Sequence, residues 1–509
     1  MTRLSPETLD ISLDASLDVP LNEQVYRSLR MMIGRRLAAG DRLPASRDLA
    51  RALKVGRVTV TTAYARLKAE GFLESKPGAG TVVAGRIIDN KAEDWAQRTE
   101  AEKPASAARE QEKAPLLAKR AAAAVGATDF HVQALEPLAV INPDFDSLPG
   151  RKWTQIVARL SKSPWLHNGY SLPGGYPAFR KVIADYVRQT RGIACEPEEV
   201  IITTGIQQGV SLCAEVLFND GDRVAVEDPG FEPHRRALEF FGARTVSAPV
   251  DEGGVSVAAL EQMRESEADW RGILVTPSHQ YPLGVLMTLE RRKALLAWAS
   301  RSGAWVIEDD YDSELRYGGS PYPALAALDR AGSGAGRVVY LGSFTKMIYP
   351  GFNIGYLVAP SREIAQAFEG AKLLFDRHTS EVHQAILTEF IAGGHYDAHI
   401  RRLKRLYEKR RSAAVRAIGR FCSGFGRLLP SNQGTHLTFV FHDPALSDVA
   451  VSDRLRRECR IETRPLSLCY RDLPPRNGLL LGFAGFSETA IETAVRQMAM
   501  AVERMRGVL

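Results

Sequence analysis

GRVVYLGSFTKMIYPGFNIGYLV, Gly336 to Val358, decides how the rest of the chain is read. Val338–Leu341 is apolar and β-branched or aromatic, the composition of a buried strand. It runs into Gly-Ser-Phe-Thr-Lys, a small-residue turn that leaves Lys346 at the strand's end. Ligands of open α/β sheets gather at such ends. A lysine desolvated there has a depressed pKa and a usable amine, as an aldehyde cofactor requires. A lone lysine after a core strand is more often an ordinary surface residue, so its neighbours decide the matter.

Those neighbours lie upstream in an alternating pattern. Val200–Thr203, Arg223–Glu227, Gly272–Thr276 and Trp305–Glu308 read as further strands, with amphipathic helices such as Ala178–Arg191 and Leu289–Ser300 between them. The alternation predicts an α/β doubly wound sheet. Beyond about residue 400 a long Arg-rich helix over Ile400–Arg416, short strands at Thr435–Phe441 and Leu479–Phe483, and a closing helix from Glu488 predict a small C-terminal α+β subdomain.

Each strand end carries a chemically useful group. AWVIEDDYDSELRY places Asp309 after a strand, 37 residues before Lys346, where an acid can pair with a protonated pyridine nitrogen. Tyr311 can donate to a phenolic oxygen of the same ring. TTGIQQGVSL opens a helix whose amides at Gly205, Ile206 and Gln207 form a phosphate cup. Phe231, in EDPGFEPH, offers an aromatic face to stack on a ring. His279 and Tyr281, in TPSHQYPLG, sit near another strand end, and Ser343 adds a hydroxyl three residues before Lys346.

The opposite end of the chain is different in kind. Between Pro20 and Gly85 stand 12 Lys/Arg against 5 Asp/Glu, a net +7 where the whole chain has +6. A basic module on a near-neutral body points to a polyanion partner for that module. LNEQVYRSLRMMIGRRL has an apolar helical face, stopped at Gly40; Ser46 is a good N-cap for a second short helix; VTVTTAYARLKAEGFL is a third, ending at Gly71. FLESKPGAGTVVAG reads as a hairpin around Pro-Gly. Helix, helix, turn, helix and wing suit double-stranded DNA. The third helix enters the major groove with Arg57, Thr59 and Thr61 near its start, and Arg47, Lys76 and the backbone at Gly80 hold phosphates.

Composition bounds the alternatives. The chain has 509 residues, 45% hydrophobic and 25% charged, a composition ordinary for soluble globular proteins. No apolar run approaches the roughly 20 residues a membrane span needs. The polar opening stretch does not read as a secretory signal, and the five scattered cysteines have no metal or redox spacing, so no metal site and a cytoplasmic location are expected. The spacing divides the chain into a DNA-binding domain over 20–85, a linker over 86–126 rich in Ala, Glu, Lys and Arg, and a large domain over 127–509.

LPASRDLARAL, GRVTVTTAYARLKAEGFLES and GAGT together resemble the winged helix-turn-helix of the GntR regulators. GSFTK, IEDDYDSELRY and TPSHQYPLG resemble the fold type I pyridoxal-phosphate enzymes, in particular the class I/II aminotransferases. The two joined by a linker resemble the MocR-like regulators. That resemblance implies pyridoxal 5'-phosphate held on Lys346 as the Schiff-base lysine, a head-to-tail homodimer, operator DNA as one partner and a small amine or amino-acid effector as another. Four departures stand out. Gly56 occupies a position where the GntR family usually has Ser. Asn353 occupies the place of a phosphate-binding arginine seven residues after the lysine, and Ile206 that of a hydroxyl residue in the cup. In RNGLLLGFAGF, Leu479 stands near the place of the arginine that fixes a substrate carboxylate in aminotransferases, with Arg464 and Arg471 as unplaced candidates. Sensing is therefore expected in preference to turnover, with at most residual or half-transamination activity. The alternatives are a working aminotransferase with an appended DNA reader, and a regulator with a degenerate cofactor site.

Overall fold

The computed structural model describes residues 4–84 and 135–507, apart from 10, 15–18, 34–35, 77–79, 141–142, 148, 164–168, 267–268 and 320–321, together with 118, 120, 121 and 124. The expected linker thus lies almost wholly outside the described residues. The chain divides into two units, Met1–Leu116 and Leu117–Leu509.

The first unit holds helices α1 (Leu21–Met32), α2 (Ser46–Ala52) and α3 (Arg57–Ala69), then the antiparallel wing strands β1 (Leu73–Lys76) and β2 (Gly80–Val83). Val25 and Leu29 of α1, Leu49 of α2, Val60 and Leu67 of α3 and Val83 of the wing are fully buried together. Each such side chain contributes about 1.5–3 kcal/mol by leaving water. Two helix ends differ from expectation. The first helix stops at Met32, because Ile33 turns extended and bridges to Leu37, which is buried. Gly40, at φ +88°, lies well beyond that end. The second helix is capped by Ala45, whose carbonyl accepts from the Asp48 and Leu49 amides; Ser46 is already helical.

The second unit begins, in its described part, with helices α4 (Arg151–Leu160) and α5 (Pro177–Arg191) and then winds a sheet. In chain order come β3 (Val200–Thr203), α6 (Gly205–Leu217), β4 (Arg223–Asp228), α7 (Glu232–Phe240), β5 (Arg244–Asp251), β6 (Gly254–Val255), α8 (Val257–Ser266), β7 (Trp270–Val275), α9 (Leu289–Ser302), β8 (Trp305–Asp310), the short α10 (Leu325–Leu328), β9 (Val338–Ser343) and β10 (Gly355–Val358). The eight strands are ordered β3-β10-β9-β8-β7-β4-β5-β6. Strand β10 is antiparallel to both β3 and β9, whereas β9, β8, β7, β4 and β5 pair in parallel. Hence β3, β9, β8, β7 and β4 all run the same way and bring their carboxyl ends to one edge, the place where such sheets bind ligands. The doubly wound reading holds. Strands β5, β6 and β10 were not foreseen, and β8 and β9 run further than expected. Asp309 pairs with Leu341 and Gly355 with Ser343, so Asp309 and Ser343 belong to strands and not to the turns after them.

Helices α11 (Arg362–Phe375), α12 (Glu381–Ala392) and the long α13 (His395–Phe421) lead to the small subdomain. There, β11 (Gly426–Leu428), β12 (His436–Phe441), α14 (Asp448–Arg454), β13 (Arg464–Pro465), β14 (Gly478–Gly482) and α15 (Glu488–Met505) build an antiparallel sheet ordered β11-β12-β14-β13. Side chains alternate across a sheet. Leu437, Phe439, Leu479 and Leu481 face the main core with Val495 of α15. The other face carries His436, Thr438, Leu480 and Arg464, with Thr438 and Arg464 in register on either side of Leu480. This second face meets the large sheet's edge, where Thr438 Oγ1 donates to the Pro282 carbonyl at 2.5 Å. A second tie runs from β4. The Asp228 carboxylate accepts from the amides of Arg471, Asp472 and Leu473 at 3.1, 2.9 and 3.2 Å.

Candidate cofactor site and nucleic-acid interface

The residues expected at the ring end of a cofactor come together. Lys346 Nζ lies 5.9 Å from the centre of the Tyr311 ring. Burial pulls the lysine below its ordinary pKa, while the charges of Asp312 and Asp309 act the other way. Asp309 is buried, and its carboxyl is pushed well above the usual range by burial and then by Asp310, Asp312 and Glu227. Its nearest basic group, His234 Nδ1 at 3.4 Å, gives no compensating charge, since burial pushes that histidine down to about 3. Among the described residues Asp309 Oδ1 has no hydrogen-bond partner.

His279 is buried beside them. Its Nδ1 meets the Asp312 carboxylate at 2.9 and 3.0 Å. The Tyr311 hydroxyl donates to the His279 carbonyl at 2.9 Å and lies 3.1 Å from His279 Nδ1. Phe231 caps α7 and packs edge-on against His234 and Tyr281, with centroids 4.8 and 5.4 Å apart.

The residues expected at the phosphate end lie around the turn that opens α6. Gly205 is at φ +72°, and a Cβ there would lie 2.3 Å from Asn353 Oδ1. Only glycine fits a backbone approached this closely. Asn353 is itself left-handed, at φ +42°, a conformation that asparagine tolerates better than most residues. Ser343 Oγ accepts from the Thr345 amide at 3.1 Å, and Thr345 Oγ1 is buried without a partner among the described residues. Ile206 is buried at the helix start, whereas the Gln207 side chain turns away to the Pro233 carbonyl at 3.0 Å. The side chains gathered at this turn, Thr203, Ser343, Thr345 and Asn353, are all neutral.

Three contributors escaped the sequence reading. Asp312 was legible as the third acid of DDYD. His234 and His436 were not. His436 comes from β12, lies 5.2 Å from His279 between ring centres, and is held neutral by burial and by His279 and Lys346 nearby. Only the folded small subdomain brings it there.

These features fit pyridoxal phosphate. A buried Asp309 with Oδ1 unpartnered among the described residues suits a ring nitrogen, a desolvated Lys346 suits an aldehyde, and a glycine helix start with hydroxyls around it suits a phosphate.

In the first unit, Arg57 and Thr61 are exposed on α3, and Arg47 is exposed at the start of α2 beside Asp48, 3.9 Å away. Thr59 is only half-exposed, because Val60 next to it faces the core. Thr61 Oγ1 bonds back to the Arg57 and Val58 carbonyls. Val58, 76% exposed, shares the outer face and was not foreseen. Lys76 pairs with Glu74 at 3.0 Å on the wing, and Gly80, at φ +79°, lies against the Arg42 guanidinium.

Comparison with known proteins agrees with both halves. Residues 21–83 match the bacterial regulatory proteins of the gntR family, and residues 140–497 match aminotransferase class I and II. The chain is 34% identical to the probable rhizopine catabolism regulatory protein MocR of Rhizobium meliloti, over 96% of this chain and 95% of that one. It is 31% identical to the pyridoxine biosynthesis transcriptional regulator PdxR of Corynebacterium glutamicum, over 98% of each. Among solved structures, LysN, the α-aminoadipate aminotransferase of Thermus thermophilus complexed with N-(5'-phosphopyridoxyl)-L-leucine, aligns with TM-score 0.69 at 27% identity, covering 77% of this chain and 100% of that one. The chain therefore belongs to the MocR-type regulators of the gntR family, pyridoxal-phosphate-dependent transcription regulators that bind DNA.

Proposed function

We propose that this regulator senses an amine or amino acid through pyridoxal phosphate attached at Lys346, and that the sensing re-sets how its DNA-reading unit engages an operator. The observation that carries this is the gathering of Lys346, 5.9 Å from the Tyr311 ring centre, and a buried Asp309 whose Oδ1 has no partner among the described residues, in a chain that also holds a DNA reader. Bound there, the cofactor supplies an aldehyde that condenses with amines and a ring nitrogen that withdraws electrons from the reacting carbon. Lys346 brings an amine that burial keeps more easily deprotonated than a free lysine. Asp309 holds the ring nitrogen, Phe231 covers a ring face, and Tyr311, held by His279, lies beside the lysine. Gly205, Ile206, Gln207, Ser343 and Asn353 hold the phosphate. An incoming amine competes with Lys346 for the same carbon, so ligand binding frees the lysine and alters packing around β9.

The division of the chain at about residues 86 and 126, a cytoplasmic location and a head-to-tail homodimer belong to the same reading. The apolar run Leu373, Leu374 and Phe375 at the end of α11 is exposed, and Phe375 is 5.8 Å from Phe241, which packs on the exposed Phe240. A second copy covers such a strip. Sedimentation velocity at twice the 56.0 kDa chain mass is the expected result, and a monomer at micromolar concentration counts against the dimer.

The test of the function is retardation of the protein's own upstream DNA at physiological salt, with cofactor and a panel of amines. Specific retardation altered by an amine is expected; retardation that no amine alters counts against sensing. Arg57→Ala is expected to lose about 1–3 kcal/mol of specific binding. Equal loss on specific and random DNA would assign Arg57 to phosphate contact alone.

Asn353 makes a separate expectation. A guanidinium on a phosphate contributes about 1.5–3 kcal/mol, against which a left-handed arginine costs about 1 kcal/mol. Asn353→Arg is thus expected to tighten cofactor binding by up to about thirty-fold, read by equilibrium titration. Unchanged or weaker binding would show that the neutral turn is already sufficient.

A further inference from the structure

The segment leading into α2 pairs with the wing and carries an arginine that nothing engages. The Gly40 amide donates to the Val83 carbonyl, the Val83 amide to the Asp41 carbonyl and the Leu43 amide to the Thr81 carbonyl, each at 2.9 Å. Side chains alternate along such a segment. Leu43 is buried in the core of the unit, so Arg42 points to the opposite side. There its guanidinium lies against Gly80 of β2, where a Cβ would stand 3.5 Å from Nη2 and 3.6 Å from Nε. The Arg42 side chain is half-buried and makes no hydrogen bond or ion pair among the described residues. Its neighbours Arg47 and Arg51 differ, since they share Asp48 at 3.9 and 4.0 Å.

Arg42 borders a cleft of about 300 Å³ between residues 4–6, the start of α2 and the wing. It is the one base of that lining, and Asp48, beside its own two arginines, is the one acid. The cleft thus joins two places expected to hold phosphates, the start of α2 and the wing backbone at Gly80. Residues 4–14 precede the stretch that matches the gntR family, and they brace this arginine. The Leu4 amide donates to the Arg42 carbonyl at 3.1 Å. Leu9 is buried, and Leu4, Ile11 and Leu13 pack against the same core. At the far end the Asp14 amide donates to Gln24 Oε1 at 2.9 Å, and Gln24 Nε2 donates to the Asp14 carbonyl at 2.8 Å. Arg42 is therefore held by the wing on one side and by this arm on the other. A guanidinium fixed in advance loses less freedom on meeting an anion, and its fork matches phosphate oxygens.

We infer that Arg42 is a phosphate-binding residue of the DNA reader, and that the arm over residues 4–14 is the brace that positions it. The contact adds affinity for any duplex and reads no base.

The experiment measures binding of the full-length chain to its own upstream duplex and to a random duplex of equal length, by fluorescence anisotropy across a range of salt concentrations. Arg42→Met is expected to weaken both by the same factor, about five-fold at about 0.15 M salt, and to make the logarithmic salt dependence shallower by about 0.9 for each reader bound. Arg42→Lys keeps the charge and should keep the slope. Arg27→Met removes an exposed cation tied to Glu23 at 2.8 Å and should leave the slope in place. Leu4→Pro removes the amide that holds the Arg42 carbonyl; it should weaken binding in the wild-type chain and add nothing in Arg42→Met. Thermal melting shows that each variant is folded. An unchanged slope in Arg42→Met, an equal change in Arg27→Met, or a loss confined to the upstream duplex overturns the phosphate contact. Additive losses for Leu4→Pro and Arg42→Met overturn the brace.

Discussion

Lys346→Ala is expected to abolish covalent retention of the cofactor. After borohydride reduction and denaturation, intact mass should show the wild-type chain carrying one pyridoxyl group and the variant none. The lysine is partly buried at the turn that closes β9, and desolvation lowers its pKa although Asp312 and Asp309 oppose that shift. This combination favours attachment near neutral pH, where an exposed lysine is almost wholly protonated. Removal leaves the phosphate turn and Asp309 in place, so residual non-covalent binding is expected. A variant that still carries the pyridoxyl mass would move the attachment to another lysine and sink the assignment of GSFTK.

Asp309→Asn is expected to weaken cofactor binding by about ten- to a hundred-fold, from the loss of about 1.5–3 kcal/mol in a charged hydrogen bond. The sign follows from the surroundings. Asp309 has neutral His234 on one side and the acids Asp310, Asp312 and Glu227 around it, so its carboxyl is raised far above the ordinary value. A protonated ring nitrogen adds to Lys346 a further cation that favours its ionised form, so a carboxyl raised in this way is expected to lose a proton on binding. Calorimetry in buffers of different ionisation enthalpy measures that release for the wild-type chain. It should disappear in Asp309→Asn. Equal affinity and equal proton release in the two proteins would remove Asp309 from the ring nitrogen.

How much of this could be read in advance depends on the range of the forces involved. Strands β3, β4, β7, β8 and β9 are short apolar runs followed by small or acidic residues, a local signal. Strand β10 was hidden because Gly355–Val358 follows the turn it closes, and only pairing with β3 and β9 makes it a strand. The ends of β8 and β9 were misjudged for a related reason. Asp309 and Ser343 are polar, and polar residues continue a strand only when a neighbour takes their backbone bonds. Lys346, Tyr311 and the Gly205 turn each follow a strand, Asp309 stands near the end of one, and all four were legible. His234 and His436 stand in the site through tertiary packing alone. The state of Tyr311 was also illegible, since its donor is engaged by a carbonyl that folding brings near. In the DNA reader, Thr59 is less exposed than expected and Val58, which was not foreseen, is exposed, because the burial of Val60 and Ala63 fixes which side of α3 faces outward.

The three amides of residues 471–473 converging on Asp228 and the Thr438 hydroxyl on the Pro282 carbonyl are two ties at separate places on the large sheet's edge. Two separate ties oppose rotation about either one, so the small subdomain presents the face bearing His436 to the strand ends as a fixed wall.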